Sequence, residues 1–321
     1  MLKTFLTEAW GLRYPLIGAP MAGVAFGALA RAVSSSGGLG MVGIGSSDPV
    51  ENVEREAAIA REGGRHFGIG LMAWALPQRP ELLEAAIASK PFVISMTGGS
   101  IVPYAARVRE AGIRIVAQVN TGDDAREAEA AGADLIVAQG TEAGGHTGDV
   151  ATLSLLQIVL GAVAVPVVAA GGIASARGLA AVLAAGAEGG WIGTPLLLAH
   201  EAGTTPAARA RIVAAKENET VLTRLFDRTL GNAWPARYPG RALANKFTQA
   251  WHGREDEAAA NPATAAALRS ATAAKDFDTA YIYAGQSVGL LERERPAAEI
   301  VAELGDGAEA LLRERCGMLL G

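Results

Sequence analysis

Acid–base chemistry in this 321-residue chain centres on His146, set in the glycine-rich run Thr141-Glu142-Ala143-Gly144-Gly145-His146-Thr147-Gly148-Asp149. An imidazole with an ordinary pKa of about 6.5 can take a proton or, once charged, hold an anion at neutral pH. The glycines beside it let a ligand approach the backbone closely. Glu142 and Asp149 in the same run read as loop-bracing or helix-capping groups. Two more glycine turns, Ala170-Gly171-Gly172-Ile173 and Ile192-Gly193-Thr194-Pro195, each close an apolar run, and the first opens a helix near Ser175. Turns of this kind aim backbone N–H groups at an anion, so the two together predict a phosphate site. Gln118 and Gln139 also end apolar runs, Val116-Ala117-Gln118-Val119 and Val137-Ala138-Gln139-Gly140. An amide there can donate to and accept from the edge of a flat heteroaromatic ring; for each, a satisfied rim residue is the alternative.

These groups need a scaffold that gathers strand ends. Eight short apolar runs rich in Val and Ile recur, at 15–20, 39–45, 67–73, 92–97, 114–119, 135–140, 166–172 and 189–196. Between them lie amphipathic Ala/Glu/Arg stretches such as 50–62, 123–131 and 176–185. Strands alternating with helices imply βαβ units, and continuous apolar runs imply strands covered on both faces. Eight such units predict an α/β fold, a (β/α)8 TIM barrel, with a doubly wound open sheet as the alternative. In a barrel the chemistry sits at the C-terminal ends of the strands, where every residue named above falls. Residues 201–278 break the rhythm: they carry Trp and Tyr, long polar helical stretches such as 207–222 and no clear strand pattern, and so read as a helical insertion after strand eight. A run at 281–289, then a helical stretch at 297–312, returns to cover the barrel.

Composition excludes several classes. The charge balance is mildly acidic, 28 Lys+Arg against 33 Asp+Glu, with no basic cluster to neutralise nucleic-acid phosphates. Cys316 is the one cysteine and four histidines are scattered, so neither an internal disulfide nor a zinc site is expected, and a reducing cytoplasm suits the chain. His66 and His200 read as structural, and His252 is left open. Residues 1–14 hold Lys3, Glu8 and Arg13 and lack a signal-peptide core. The uncharged segment 150–176 contains Gln157, Gly161, Pro166 and Gly171-Gly172, so it reads as a buried helix, a turn and a buried strand rather than a membrane span. Gly38-Leu39-Gly40-Met41-Val42-Gly43 matches G-x-G-x-x-G in the wrong order: a helix over 26–35 precedes it and a strand follows, whereas a dinucleotide fingerprint leaves a strand and opens a helix.

Taken together these residues resemble the nitronate monooxygenase family, formerly 2-nitropropane dioxygenases, which is related to FMN-dependent enoyl-acyl-carrier-protein reductases. The likeness runs from Gly18-Ala19-Pro20-Met21-Ala22-Gly23 through Gln139-Gly140-Thr141-Glu142-Ala143-Gly144-Gly145-His146 and Ala169-Ala170-Gly171-Gly172-Ile173 to Ala284-Gly285-Gln286-Ser287-Val288-Gly289. It implies an FMN-binding barrel from 1–200 and 281–321, roofed by a substrate-side domain at 201–280. By position Gly171, Gly172, Gly193 and Thr194 would hold the FMN phosphate. Ala19, Pro20, Met21, Gln118, Gln139, Gly144 and Gly145 would line the flavin, Gln286 and Ser287 would approach its ring, and His146 would be the active-site histidine. One departure stands out: the third strand reads Phe67-Gly68-Ile69-Gly70-Leu71, where the family usually carries Asn at the position of Gly70. The implied activity is oxidative denitrification of alkyl nitronates, such as propionate 3-nitronate, with O2. The alternative is an NAD(P)H-driven quinone or enoyl reductase, in which NAD(P)H stacks directly on FMN. A non-catalytic flavin- or phosphate-binding protein acting as sensor or carrier, and a phosphate-sugar barrel enzyme without flavin, are the remaining readings.

Overall fold

A computed structural model describes residues 2–320, apart from the side chains of Cys316 and Leu320. All eight apolar runs form parallel strands: β1 (Leu16–Gly18), β2 (Gly40–Gly43), β3 (Phe67–Met72), β4 (Val93–Thr97), β5 (Arg114–Val119), β6 (Leu135–Gln139) and, after a short β7 (Gly145–His146), β8 (Val167–Ala170) and β9 (Gly190–Ile192). Their order, β1-β9-β8-β6-β5-β4-β3-β2, wraps the sheet around. A parallel bridge between Ile17 and Leu39 closes it, with Gly18 N–H donating to the Leu39 carbonyl at 2.9 Å and Leu39 N–H to the Leu16 carbonyl at 3.1 Å. The fold is therefore the α/β barrel.

Two apolar layers hold it. Val93, Val116, Leu135, Val137 and Val168 point inward with Met41 and Trp191, and Leu6 and Trp10 of the N-terminal segment join this interior cluster. The short helix Phe5–Glu8 thereby plugs the barrel floor: Phe5 N–H donates to the Glu188 carboxylate at 2.5 Å, just ahead of β9, and Trp10 packs edge-on against Phe92, just ahead of β4. The alternate residues, among them Ile94, Ile115 and Ile136, face the outer helices. Buried Leu and Ile side chains contribute about 1.5–3 kcal/mol each, so the closed sheet rests on this two-sided burial and not on its short edge at β1. Helices begin where side chains can cap them: Thr121 accepts from Asp124 N–H ahead of Gly122–Ala130, and Ser175 from Gly178 N–H ahead of Ala176–Ala184.

Segment 150–176 is helix Thr152–Leu160, a turn and β8, and no helix among the described residues is long and apolar enough to cross a membrane. The helix is only half buried, for Leu153 and Ile158 are exposed. Gly40–Gly43 is β2, entered from helix Gly27–Ser35, so the apparent dinucleotide motif is a helix-to-strand turn. The closing helix runs Ala297–Leu320, longer than expected, and packs on Ala176–Ala184.

The insertion is mostly helical (Pro206–Ala214, Leu225–Leu230, Lys246–Trp251, Glu255–Ala260, Pro262–Ala274) around Phe226, Phe247, Leu268 and Ala258. It also carries two strands that the sequence pattern did not announce, β10 (Thr220–Thr223) and β11 (Gly240–Leu243). The expected helix at 207–222 thus stops at Ala214, where the chain turns extended, and Thr220-Val221-Leu222-Thr223 pairs antiparallel with β11. β11 in turn pairs with β7, matching Gly240 to His146 and Arg241 to Gly145.

Candidate active site

That strand pairing sets the histidine. The β6–β8 loop leaves the barrel at Gly140, and its two-residue strand β7 is added to a sheet of the roof, with Thr147 N–H donating to the Pro239 carbonyl at 3.1 Å. Gly144 permits a close approach from the other side: a Cβ there would lie 2.6 Å from the carbonyl carbon of Ala284. Arg241, buried on β11, donates from Nε to the Thr141 carbonyl at 2.7 Å and from Nη1 to Thr220 Oγ1 at 3.2 Å. Its burial draws the guanidinium pKa down, with the Glu142 charge opposing. Glu142 caps the next helix, accepting from Thr152 N–H at 3.0 Å, and Asp149 is exposed.

His146 Nε2 lies 2.8 Å from Oδ2 of Asp227, on the roof helix Leu225–Leu230, and Asn232 Nδ2 donates to the other carboxylate oxygen at 3.3 Å. One face of the imidazole is covered by Trp234, stacked at 3.7 Å between centroids and 7° between planes. Tyr283 stands 5.3 Å from the imidazole, and Trp74 5.4 Å from Trp234. Burial, then the Asp227 charge, pushes the Tyr281 and Tyr283 hydroxyls above their ordinary pKa, Tyr283 well above it, so both are neutral donors at physiological pH.

Below this group a cavity of about 610 Å³ opens at the C-terminal ends of the strands. Ala19, Pro20, Met21, Gln118, Gln139, Gly144, Gly145, His146, Gly171, Gly172, Gly193, Thr194 and Ser287 all line it. Gln286 does not: its side chain is exposed, and its backbone N–H donates to the Glu142 carbonyl at 2.9 Å. Successive side chains of the 3-10 turn over Gln286–Leu290 point about 120° apart, so Ser287 faces the cavity while Gln286 faces out. His66 stacks on Phe92 at 4.1 Å, and His200 and His252 likewise lie outside the cavity.

The lining groups leave donors and acceptors for a ligand. Gln118 donates from Nε2 to Thr97 Oγ1 at 2.6 Å, which leaves its carbonyl oxygen free. Gln139 Oε1 accepts from Asn120 Nδ2 at 3.1 Å, which leaves its NH2 free. One glutamine thus presents an acceptor and the other a donor to the same space. Gly171 and Gly172 have φ of +105° and +72°, which glycine alone adopts without strain. Among the described residues no protein acceptor takes the amide hydrogens of Gly171, Gly172, Gly193 or Thr194. Thr194 Oγ1 accepts from Gly285 N–H at 2.9 Å and so keeps its own hydrogen to donate. Glu142 Oε2 covers the Cα of Gly172 without taking these amides. Four free amides and a hydroxyl on adjacent turns fit a phosphate-sized anion. Gly70 has no room for the family's usual Asn, because a Cβ there would fall 2.3 Å from the ring of Pro20.

Sequence reasoning missed Asp227, Asn232, Trp234 and Asn120. The tyrosine pair in the returning run and the tryptophans of the insertion were the available signal, and no spacing rule ties them to His146.

A parallel barrel of this kind, with an imidazole–carboxylate pair above a deep cavity at the C-terminal ends of its strands, has the build of a barrel enzyme. The chain belongs to the nitronate monooxygenase family, whose model matches residues 77–307. A nitronate monooxygenase of Paraburkholderia phytofirmans is 31% identical over 358 aligned positions, which span 94% of each chain. Among solved structures, FabK from Thermotoga maritima superposes with a TM-score of 0.87 at 30% identity, covering 99% of this chain and 100% of its own. Nitroalkane oxidase from Streptomyces ansochromogenes superposes with a TM-score of 0.82, also at 30% identity, covering 95% of this chain and 98% of its own. The chain is an enzyme, an oxidoreductase.

Proposed function

We propose that the protein is an FMN-dependent nitronate monooxygenase that converts alkyl nitronates to carbonyl compounds and nitrite with O2. In this reading residues 1–200 and 281–321 form the FMN barrel and 201–280 the substrate-side domain. The carrying observation is the His146–Asp227 pair above a cavity whose far wall holds the free amides of Gly171, Gly172, Gly193 and Thr194. Bound FMN would supply the electron acceptor and the route to O2. The overall balance is two nitronates and one O2 giving two carbonyls and two nitrite ions.

The chain's own groups then have distinct tasks. The four amides and the Thr194 hydroxyl hold the cofactor's phosphate, and Gln118 and Gln139 offer an acceptor and a donor to its ring. Asp227 accepts the Nε2 hydrogen of His146, so Nδ1 is the nitrogen that works on substrate. As a donor Nδ1–H holds a nitronate oxygen; bare, Nδ1 takes the α-proton of a neutral nitroalkane and passes the new charge against Asp227. Trp234 keeps water from one face of the ring. Oxygen uptake with nitrite release tests the assignment: holoenzyme fed a nitronate should give two nitrites per O2, and O2 uptake without nitrite would refute it.

The likeness to FabK supports a second reading, an NAD(P)H-driven enoyl or quinone reductase. The cavity would then admit the nicotinamide directly above the flavin, and NAD(P)H alone should bleach the holoenzyme under argon.

A further inference from the structure

The substrate end of the cavity has a composition that sorts ligands by charge. Trp234, Trp74, Tyr281 and Tyr283 wall it beside His146, and Phe277 and Ile212 continue the apolar surface. Tyr281 and Tyr283 lie with ring centroids 4.9 Å apart, so the wall is one joined aromatic surface from Trp74 through Trp234 and His146 to Tyr281. Among the described residues lining the cavity none is Lys or Arg, whereas Asp48, Glu142 and Asp227 are all present. Each carboxylate is already engaged by the protein: Asp48 with Gly45 N–H at 2.7 Å, Glu142 with Thr152 N–H and Asp227 with His146. Arg241, the buried cation close behind the loop, is turned onto Thr141 and Thr220. His146 is thus, among the described lining residues, the one side chain that can meet a substrate anion with a positive charge, the remaining donors being neutral hydroxyl, amide and indole groups.

Resting on the nitronate reading above, we infer that this enzyme selects nitro compounds whose carbon body is an uncharged ring, aryl or cycloalkyl, and rejects those that carry a second ionised group. A carboxylate on the substrate would enter an aromatic wall beside the Asp227 charge with no second cation to balance it, the neutral hydroxyls of Tyr281 and Tyr283 being the donors left to it. A planar or alicyclic ring finds offset-stacking partners in Trp234, Trp74 and Tyr281. Propionate 3-nitronate, a dianion, is accordingly a poor substrate of this chain, and phenylnitromethane nitronate or nitrocyclohexane nitronate a good one.

Two readouts on the holoenzyme test this. In steady state the ring nitronates should exceed propionate 3-nitronate in kcat/KM by on the order of 100-fold, the discrimination that an unpaired buried charge commands; equal or reversed values overturn the inference. Under argon, the shift of the flavin absorbance on adding nitrobenzene should saturate at a concentration at least about tenfold lower than with 3-nitropropionate. That titration needs no turnover, so it upholds or overturns the ring preference even where no nitronate is oxidised, an outcome that would sink only the nitronate reading. Y281R, which puts a cation into the wall, should raise kcat/KM for propionate 3-nitronate at least about tenfold and lower it for the ring substrates. No gain for the dianion in a folded, flavin-bearing Y281R also overturns the inference.

Discussion

Nε2 of His146 and Oδ2 of Asp227 stand 2.8 Å apart although 81 residues of chain separate them, and both side chains are less than one-tenth exposed. The histidine comes from a barrel loop, the carboxylate from a roof helix, and β7–β11 pairing holds the two in register. Asp227→Asn keeps an acceptor for the Nε2 hydrogen but removes the charge that balances a protonated ring. Its kcat/KM should fall about 100-fold or more for a neutral nitroalkane and less for the preformed nitronate, with flavin content unchanged. Equal losses on both substrates would show that Asp227 does not assist proton removal.

The nitrogen that faces substrate can be identified by replacement. An Asn side chain can place its amide near the Nδ1 position, and a Gln side chain near Nε2. His146→Asn should therefore retain more nitronate oxidation than His146→Gln, and both should lose nearly all proton abstraction from neutral nitroalkanes. The comparison is made on kcat/KM with each substrate form. A better H146Q than H146N would reassign the working atom to Nε2.

In the proposed reading, cofactor retention depends on backbone shape at Gly171 and Gly172. A side chain at φ of +72° costs about 1–2 kcal/mol, and Gly172→Ala would also press on Glu142 Oε2. Flavin fluorescence recovered on dilution should show FMN bound about tenfold more weakly in G172A, with Thr194→Ala intermediate. An unchanged dissociation constant in G172A would move the phosphate elsewhere.

The barrel was legible because each of its strands is buried on both faces, so short continuous runs of Val, Ile and Ala recur eight times between helical stretches. The glycine turns and His146 could be placed at the cavity for the same reason, since they lie at or just past the ends of those runs. Asp227 was not, because a carboxylate in a six-residue helix carries no local mark of the ring it faces 81 residues away. The strands β10 and β11 escaped notice because both are four residues long and take their stability from pairing with each other and with β7. Gln286 was misplaced within a correctly identified segment: the motif fixes where the chain returns, while the 3-10 turn decides which side chain enters.

Alkaline stability follows from the tyrosines. Burial first, then the charges of Asp227 and Tyr281, raises the Tyr283 hydroxyl well above its ordinary 10.0. In the unfolded chain it ionises near that ordinary value, so the stabilisation is whole below about pH 10 and is lost as pH climbs from there toward the folded value. The urea midpoint of wild type should drop between pH 9 and pH 11, and Tyr283→Phe should lessen that drop, with Tyr281 accounting for part of the remainder. An identical drop in Y283F would mean that Tyr283 is not the group responsible.

The most direct test is an absorbance spectrum of the protein as isolated or after FMN addition, followed by substrate titration under argon. The account predicts flavin bands that bleach with a ring nitronate and stay unchanged with NAD(P)H. A protein that takes up no flavin, or one whose flavin is bleached by NAD(P)H and untouched by any nitronate, would contradict it.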